Sequence, residues 1–531
     1  MEAPDPIGAA WLVVRYGIDL VMPLAVQSRI GGRRKTELTN GIGAETFVES
    51  MRPSANLRGH LTFHLKHEVP HLEMLSRLFE RVDPDELVAW IEEEPSGQYA
   101  RKAGFLYEWI TGRQLNVALA MAGSYVNVLD ERKLVAASPG RSLPNRRWRV
   151  RDNLPGSPAF CPMVRKTREW HQAVAVDLPR LLADLALEFG EDLLMRSAVW
   201  MTLRESKSSF AIEGEADQLD RIKRFADVLA RRTGQGESPL GNPSLAQLQA
   251  EILGRLTTLK EFGLRQSPVF VGEVVRFQEV IHYVAPPADE LQAMLDGLAV
   301  FWERTQGQSS VLRSAVMAFG FVYIHPLADG NGRVHRFLVN DVLRRDGIVK
   351  EPMILPVSSL ITRNPAEKRA YDQLLDTVSG PLMRALVGNY AFVPAQTSYP
   401  DGIRSNFEFQ GDAIAKPVWR YLDLTAHVVY LADLLARTIR EDMREQSQYL
   451  HRHGQARAAM KDIVEMPDMQ ADRIIRSVEE NQGKLSNALA KEIPLLAEPG
   501  LWEAIVEAIT LVFDQGSKGT RSRSANDELM P

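Results

Sequence analysis

The residues best suited to chemistry lie in one stretch of this 531-residue chain: His325-Pro326-Leu327-Ala328-Asp329-Gly330-Asn331-Gly332-Arg333-Val334-His335-Arg336. Gly330 and Gly332 flank Asn331, so the backbone there can come close to an anion and aim successive N–H groups at it. A helix starting at this point adds its positive end, which favours phosphate. Arg333 and Arg336 are spaced i, i+3 on that helix, so both guanidinium groups reach one polyanion. Asp329 is an oxygen ligand beside the anion seat, suited to a Mg2+ ion that keeps several waters. His325 titrates near neutral pH and can take a proton from an attacking hydroxyl. A base, a metal carboxylate, an anion nest and two arginines at this spacing describe transfer of a phosphorus-centred group. A surface turn with incidental arginines explains the glycines but not the whole set.

Two helices must hold this stretch in place. Leu312, Val316, Phe319 and Tyr323 recur at helical spacing before it; Val334, Leu338 and Val342 recur after it, with Gly347 placed as a stop. The spacing predicts a tight loop between two buried helices. Upstream, Val269-Phe270-Val271-Gly272 and Val280-Ile281-His282-Tyr283-Val284 are short β-prone runs that predict a small hairpin, closed by Pro286-Pro287. Elsewhere helical periodicity dominates.

The stretch His325–Arg336 resembles the signature of the Fic (filamentation induced by cAMP) family, H-x-F-x-[D/E]-G-N-G-R-x-x-R. Every chemical position matches; Leu327 stands where that family usually has Phe. The similarity runs over residues 180–390 and includes Ser267–Pro287, which looks like the family's target-docking flap. The resemblance implies a mainly α fold: a Fic-type helical core with a small β-hairpin flap, flanked by helical N- and C-terminal domains. It implies transfer of AMP from ATP-Mg to a Tyr, Ser or Thr hydroxyl of a protein, or of the chain itself, with release of pyrophosphate. By the same carry-over His325 is the base and Asp329 holds Mg2+. Gly330, Asn331 and Gly332 hold the α- and β-phosphates, and Arg333 and Arg336 bind the outer ones. Asn331, Arg333 and Arg336 count as catalytic with His325. Val269, Phe270, Val271 and Gly272 would line the nucleotide and the docked target, and Tyr371 would contact adenine.

Ser208-Ser209-Phe210-Ala211-Ile212-Glu213-Gly214 resembles that family's inhibitory motif, [S/T]-x-x-x-E-[G/N]. Ser209 and Glu213 share a helix face, and Gly214 suits the helix end. The resemblance implies that Glu213 pairs with Arg336 and occupies the γ-phosphate's place. An arginine satisfied by a carboxylate cannot clamp a phosphate until that pair breaks.

Other signals count for less. His67-Glu68-Val69-Pro70-His71 fits H-E-x-x-H, but zinc chemistry needs both histidines on one unbroken helix, and Pro70 interrupts it. His60, His64 and His67 share a helix face, which leaves a zinc hydrolase as a rival. Arg146-Arg147-Trp148-Arg149-Val150-Arg151 alternates basic and apolar residues like a strand at a groove. Another rival is a nucleotide-binding regulator whose N-terminal domain binds DNA or a partner. The relatives' other chemistries, transfer of a different phosphate-containing group or removal of AMP, are open as well.

With 63 Lys plus Arg against 68 Asp plus Glu, a net charge of -5, 45% apolar and 25% charged residues, the chain reads as globular, and nucleic acid is not its expected partner. A lone Cys161 fits a reducing compartment. The start is acidic, and Ile7–Val14 is interrupted by Arg15 and Asp19, so the expectation is a cytoplasmic chain without a leader or membrane span. The reading divides the chain into an N-terminal helical domain (1–155), a core (178–392) with its inhibitory helix near 203–216 and flap at 267–285, a C-terminal helical domain (416–514) and a disordered tail (515–531). Self-association, the target protein and the signal that lifts inhibition are left open.

Overall fold

A computed structural model describes residues 5–39, 42–118, 120–215, 217–276 and 278–524. Among the described residues the architecture is mainly helical with four small sheets. The chain divides into two compact units: Met1–Val176 with Leu203–Leu435, and Asp177–Thr202 with Ala436–Pro531.

In the first unit, the N-terminal region and the core are packed together and do not form separate domains. Ser138 N–H donates to Arg304 O at 2.7 Å, Cys161 N–H to Arg420 O at 2.8 Å and Met163 N–H to Leu422 O at 2.7 Å. Phe160 packs so closely that a Cβ on Gly297 would lie 2.8 Å from its own Cβ. Burial pushes the Cys161 thiol up to about 12, which leaves it protonated and inert. The N-terminal region is not purely helical. It carries a four-stranded sheet in the order Pro6–Ile7, Val26–Ile30, Ile42–Phe47, Lys35–Thr39, and a three-stranded one built on Val150–Asp152. The alternating runs on either side of Gly31-Gly32 carry that signal, but each is short and half polar.

Two of the discounted stretches have structural roles here. The helix Leu57–His67 ends before Glu68, which turns extended, and His71 caps the next helix by accepting from Met74 N–H at 3.1 Å. His64 and Glu68 bond each other at 2.7 Å. In the basic stretch, Trp148 is buried, its Nε1–H donates to Glu108 at 2.7 Å, and Arg147 pairs with the same carboxylate. Arg146–Arg149 form a turn around a core tryptophan, and only Val150 and Arg151 enter the short strand Val150–Asp152.

The core is built from α1 (Glu191–Ile212), whose residues from Leu203 belong to this unit, α2 (Leu219–Arg232), α3 (Asn242–Leu253), α4 (Leu291–Arg304), α5 (Ser310–Ile324), α6 (Asn331–Arg345) and α7 (Pro365–Ala385). α5 is apolar on nearly every side and almost wholly buried, as a central helix must be. It packs along α6, with Ser314 Oγ donating to Val339 O at 3.0 Å and Arg313 paired with Asp346. The flap is β1 (Phe270–Val275) and β2 (Gln278–Val284), antiparallel, with its register shifted between Val271 and Gly272. A second antiparallel hairpin, β3 (Tyr390–Ser398) and β4 (Arg404–Phe409), starts just before the expected end of the core at 392 and runs past it. Phe392 and Phe407 from it pack on Phe270 of the flap.

The second unit contains the helix Leu178–Phe189 and, around Met460, Ile474, Ile475, Trp502, Ile505 and Ile509, the helices Arg444–Lys461, Asp468–Glu480, Asn487–Glu492 and Leu501–Ser524. The helix from Leu501 runs on to Ser524, whereas the sequence predicts a disordered tail from 515. Once nucleated, a helix gains one hydrogen bond per added residue without an apolar face. Residues 525–531 lie outside the described ones. No helix among the described residues is long and apolar enough to cross a membrane.

Candidate active site

The loop between α5 and α6 begins with strain. His325 caps α5 in the left-handed region, φ 52° and ψ 55°, a conformation uncommon for a side-chain-bearing residue and usually tied to function. Its Nδ1 lies 3.0 Å from Val322 O. A carbonyl only accepts, so Nδ1 carries the proton and Nε2 presents a lone pair. Burial pushes the imidazole down to about 4, and it is therefore a neutral base at neutral pH.

Asn331 braces the loop from within. Its Oδ1 accepts from Leu327 N–H at 3.0 Å and its Nδ2 donates to Leu327 O at 2.7 Å. The side chain thus closes the turn and does not reach toward a ligand, whereas its sequence position suggested a direct phosphate contact. Leu327 is fully buried and fills the anchor position. Gly330 caps α6 with φ 91°, which favours glycine. Gln249 of α3 holds the loop from outside, donating to Asp329 O at 2.9 Å.

The first turn of α6 presents N–H groups without helical partners. Glu213 covers this end. A Cβ on Gly332 would lie 2.3 Å from Glu213 Oε1 and 3.1 Å from both terminal nitrogens of Arg336. Glycine here leaves a hollow, and the carboxylate occupies it. One oxygen of Glu213 bonds Arg336, and the other lies 3.0 Å from Arg333 Nε. Ser209 completes the hold on Arg336: its Oγ accepts from Nε at 2.5 Å and its carbonyl from Nη2 at 3.2 Å. Both arginines are under 5% exposed.

Glu213 owes its position to the way α1 ends. Glu215 N–H donates to Phe210 O at 2.8 Å and Gly214 N–H to Ala211 O at 3.2 Å, with Gly214 at φ 77°. This pair of bonds is a Schellman stop, and it makes Glu213 the cap residue.

Several placements differ from the sequence reading. Glu213 engages Arg333 as well as Arg336. Arg333 also lies 3.2 Å from Asp329 Oδ1 and 3.9 Å from Glu215 Oε2, with its guanidinium 5.0 Å over the Phe210 ring. Tyr371 is buried between His335 and Tyr430 and adjoins Arg336, an interior position with no open face for adenine. Phe270 turns its ring to the second hairpin, leaving Val271, 41% exposed, on the open side of the flap. Gly272 sits at the bulge, where a Cβ would lie 2.5 Å from Val280 O. Val269 O accepts from Ala285 N–H at 3.1 Å at the flap's base.

Gln249, Glu215 and Arg265, which holds His325 O at 2.8 Å, were not picked out from the sequence. Each acts mainly on groups far along the chain; Glu215 stands two residues past Glu213 and Arg265 two residues before the flap, and neither position marks the contact it makes. Asp329, with its side chain 53% exposed at the edge of the anion nest, fits a magnesium ion that takes its other ligands from phosphate and water. No cluster of three His, Cys, Asp or Glu residues among the described ones could hold a metal unaided.

The fold and loop define a helical core with an anion seat at a helix start and a histidine base beside it. Residues 239–343 match the Fic/DOC family, so this stretch of the chain carries a Fic/DOC domain. It is 30% identical over 117 residues to "Protein adenylyltransferase fic-1" of Caenorhabditis briggsae, a match spanning 22% of this chain and 21% of that protein. It is 26% identical over 196 residues to "Uridine 5'-monophosphate transferase" of Xanthomonas campestris pv. campestris, covering 35% of this chain and 32% of that protein. A crystal structure of a Fic family protein from Desulfovibrio desulfuricans G20 aligns over 57% of this chain and 82% of its own with 19% identity and a TM-score of 0.37.

Proposed function

We propose that this chain transfers AMP from ATP to a hydroxyl side chain of a protein, and that Glu213 holds it inactive. The observation that carries the reading is an anion, the Glu213 carboxylate, seated on the N-terminal turn of α6 between two buried arginines. Elements that attract one carboxylate this strongly are built for a more highly charged ligand. With Glu213 displaced, the turn from Gly330 to Arg333 receives the α- and β-phosphates, and Arg333 and Arg336 take the outer ones. Asp329 would hold Mg2+, which neutralises phosphate charge when bound. The target's main chain lies along the flap beside Val271. His325 Nε2 takes the hydroxyl proton as the oxygen bonds to the α-phosphorus. The bond from that phosphorus to the bridging oxygen breaks, and pyrophosphate leaves with the electron pair.

The test is incorporation of label from α-labelled ATP into protein. Glu213→Gly should raise it, and His325→Ala in that background should abolish it. Flat incorporation on removing Glu213 would refute the brake, and full activity without His325 would refute the base. The name of the Xanthomonas relative makes UTP the competing donor, so labelled UTP is run in parallel. ATP binding without transfer to protein would favour a nucleotide-binding regulator.

A further inference from the structure

Arg265 is 2% exposed, and all its side-chain hydrogen bonds go to main-chain carbonyls. Nε donates to His325 O at 2.8 Å, Nη1 to Ser267 O at 2.9 Å and Nη2 to Pro286 O at 2.5 Å. Its own N–H donates to Pro326 O at 2.9 Å. One planar group therefore ties the catalytic loop to both ends of the flap. Asp401, in the turn of the second hairpin, grips the same base: Oδ2 accepts from Gln266 N–H at 2.9 Å, Ser267 N–H at 2.9 Å and Ser267 Oγ at 2.7 Å.

We propose, on the basis of the AMP-transfer reading, that Arg265 is a positioning residue that fixes the spacing between the His325 imidazole and the flap strand carrying the target. Burying a cation against neutral carbonyls costs desolvation that an apolar side chain would avoid. The return is geometric, because a rigid fork holds three carbonyls at fixed angles and an ammonium cannot. The strained His325 backbone needs such over-determination. Tyr283 supplies a second tie, its hydroxyl donating to Tyr323 O at 2.6 Å. The charged groups that bear on the imidazole are Arg265, which favours its neutral form, and Glu213, which opposes that.

The test uses the full chain with Glu213→Gly as parent and reads four quantities. These are AMP transferred to the protein itself, AMP released free by water, ATP affinity by calorimetry, and the His325 titration by NMR. Arg265→Lys keeps the charge and loses the fork. It should lower transfer to protein about tenfold or more, since delivery of the hydroxyl depends on register. Free AMP should fall clearly less than transfer, because water needs no flap but shares the His325 loop, and ATP affinity should stay within about twofold. Arg265→Gln should in addition raise the His325 pKa by about half a unit or more. Asp401→Asn, which loosens Ser267 from the other side, repeats the first readout if the lysine variant does not fold. An unchanged ratio of protein-bound to free AMP in either folded variant overturns the proposal. A parent that makes neither product defeats the AMP-transfer reading; the His325 titration then decides on Arg265 alone, and no shift in Arg265→Gln overturns its role.

Discussion

Replacing Glu213 with glycine should cost stability that a phosphate anion gives back. The carboxylate is 24% exposed and touches Arg336 and Arg333, whose side chains are 3% and 4% exposed. Its removal leaves two guanidinium groups nearly out of water at the positive end of α6. Breaking a buried ion pair costs about 3–5 kcal/mol. Here one edge is wet, Arg336 keeps Ser209 and Arg333 keeps Asp329, so the expected loss is about 2–3 kcal/mol. Pyrophosphate at about 100 times its dissociation constant restores about 2.7 kcal/mol. In the parent protein the same anion must first displace Glu213, so its apparent affinity should be weaker by roughly 30- to 150-fold. Chemical denaturation of both proteins across a pyrophosphate titration reads both effects. Equal midpoint shifts in the two, or a variant more stable than its parent without pyrophosphate, would refute the reasoning.

Other substitutions probe neighbouring parts of the site. Gly214→Ala meets open space but strained backbone at φ 77°, about 1 kcal/mol, so it should loosen Glu213 and raise transfer about fivefold, read by label incorporation. Asn331→Ala removes both braces on Leu327 and should cost about 1–3 kcal/mol while weakening ATP binding, read by denaturation and calorimetry; Asn331→Asp, which keeps the acceptor, should fall between. Burial depresses His335 and His427 to about 3, so between roughly pH 6.5 and 3 the unfolded chain binds protons that the folded chain refuses. Stability is therefore complete at pH 7 and falls with pH through that window. His427→Gln should flatten the fall by about 1.4 kcal/mol per pH unit, measured from denaturation at pH 6 and 5.

The central loop was legible because everything that forms it is local. Leu312, Val316, Phe319 and Tyr323 on one side and Val334, Leu338 and Val342 on the other are all buried, so the period marks both helices and the glycines mark the bend between them. The flap was legible from two β-prone runs. The second hairpin was not, because Tyr390–Ser398 is mostly exposed along its length and shows no apolar alternation. The N-terminal sheets were missed for the same reason: strands of two to six residues carry little period. Arg265, Gln249 and Asp401 act across 60, 80 and 134 residues of chain, and no local pattern records such a contact. Tyr371 was misplaced because an aromatic residue looks the same in sequence whether it faces a ligand or the core.

Just before its last turn, α1 is fastened. Ser206 Oγ donates to Ile222 O at 2.6 Å, and Glu205, fully buried, accepts from Ser358 N–H and Oγ at 2.8 and 2.7 Å. Glu213 lies past these bolts, at the C-terminal end of the rod, where Ser209 adds a further hold on Arg336. Clearing the seat therefore asks for a swing of one side chain about its own torsions, with the rod itself left in place. Under the proposed function, the carboxylate is a latch at the doorway that an incoming triphosphate would lift without disturbing the frame.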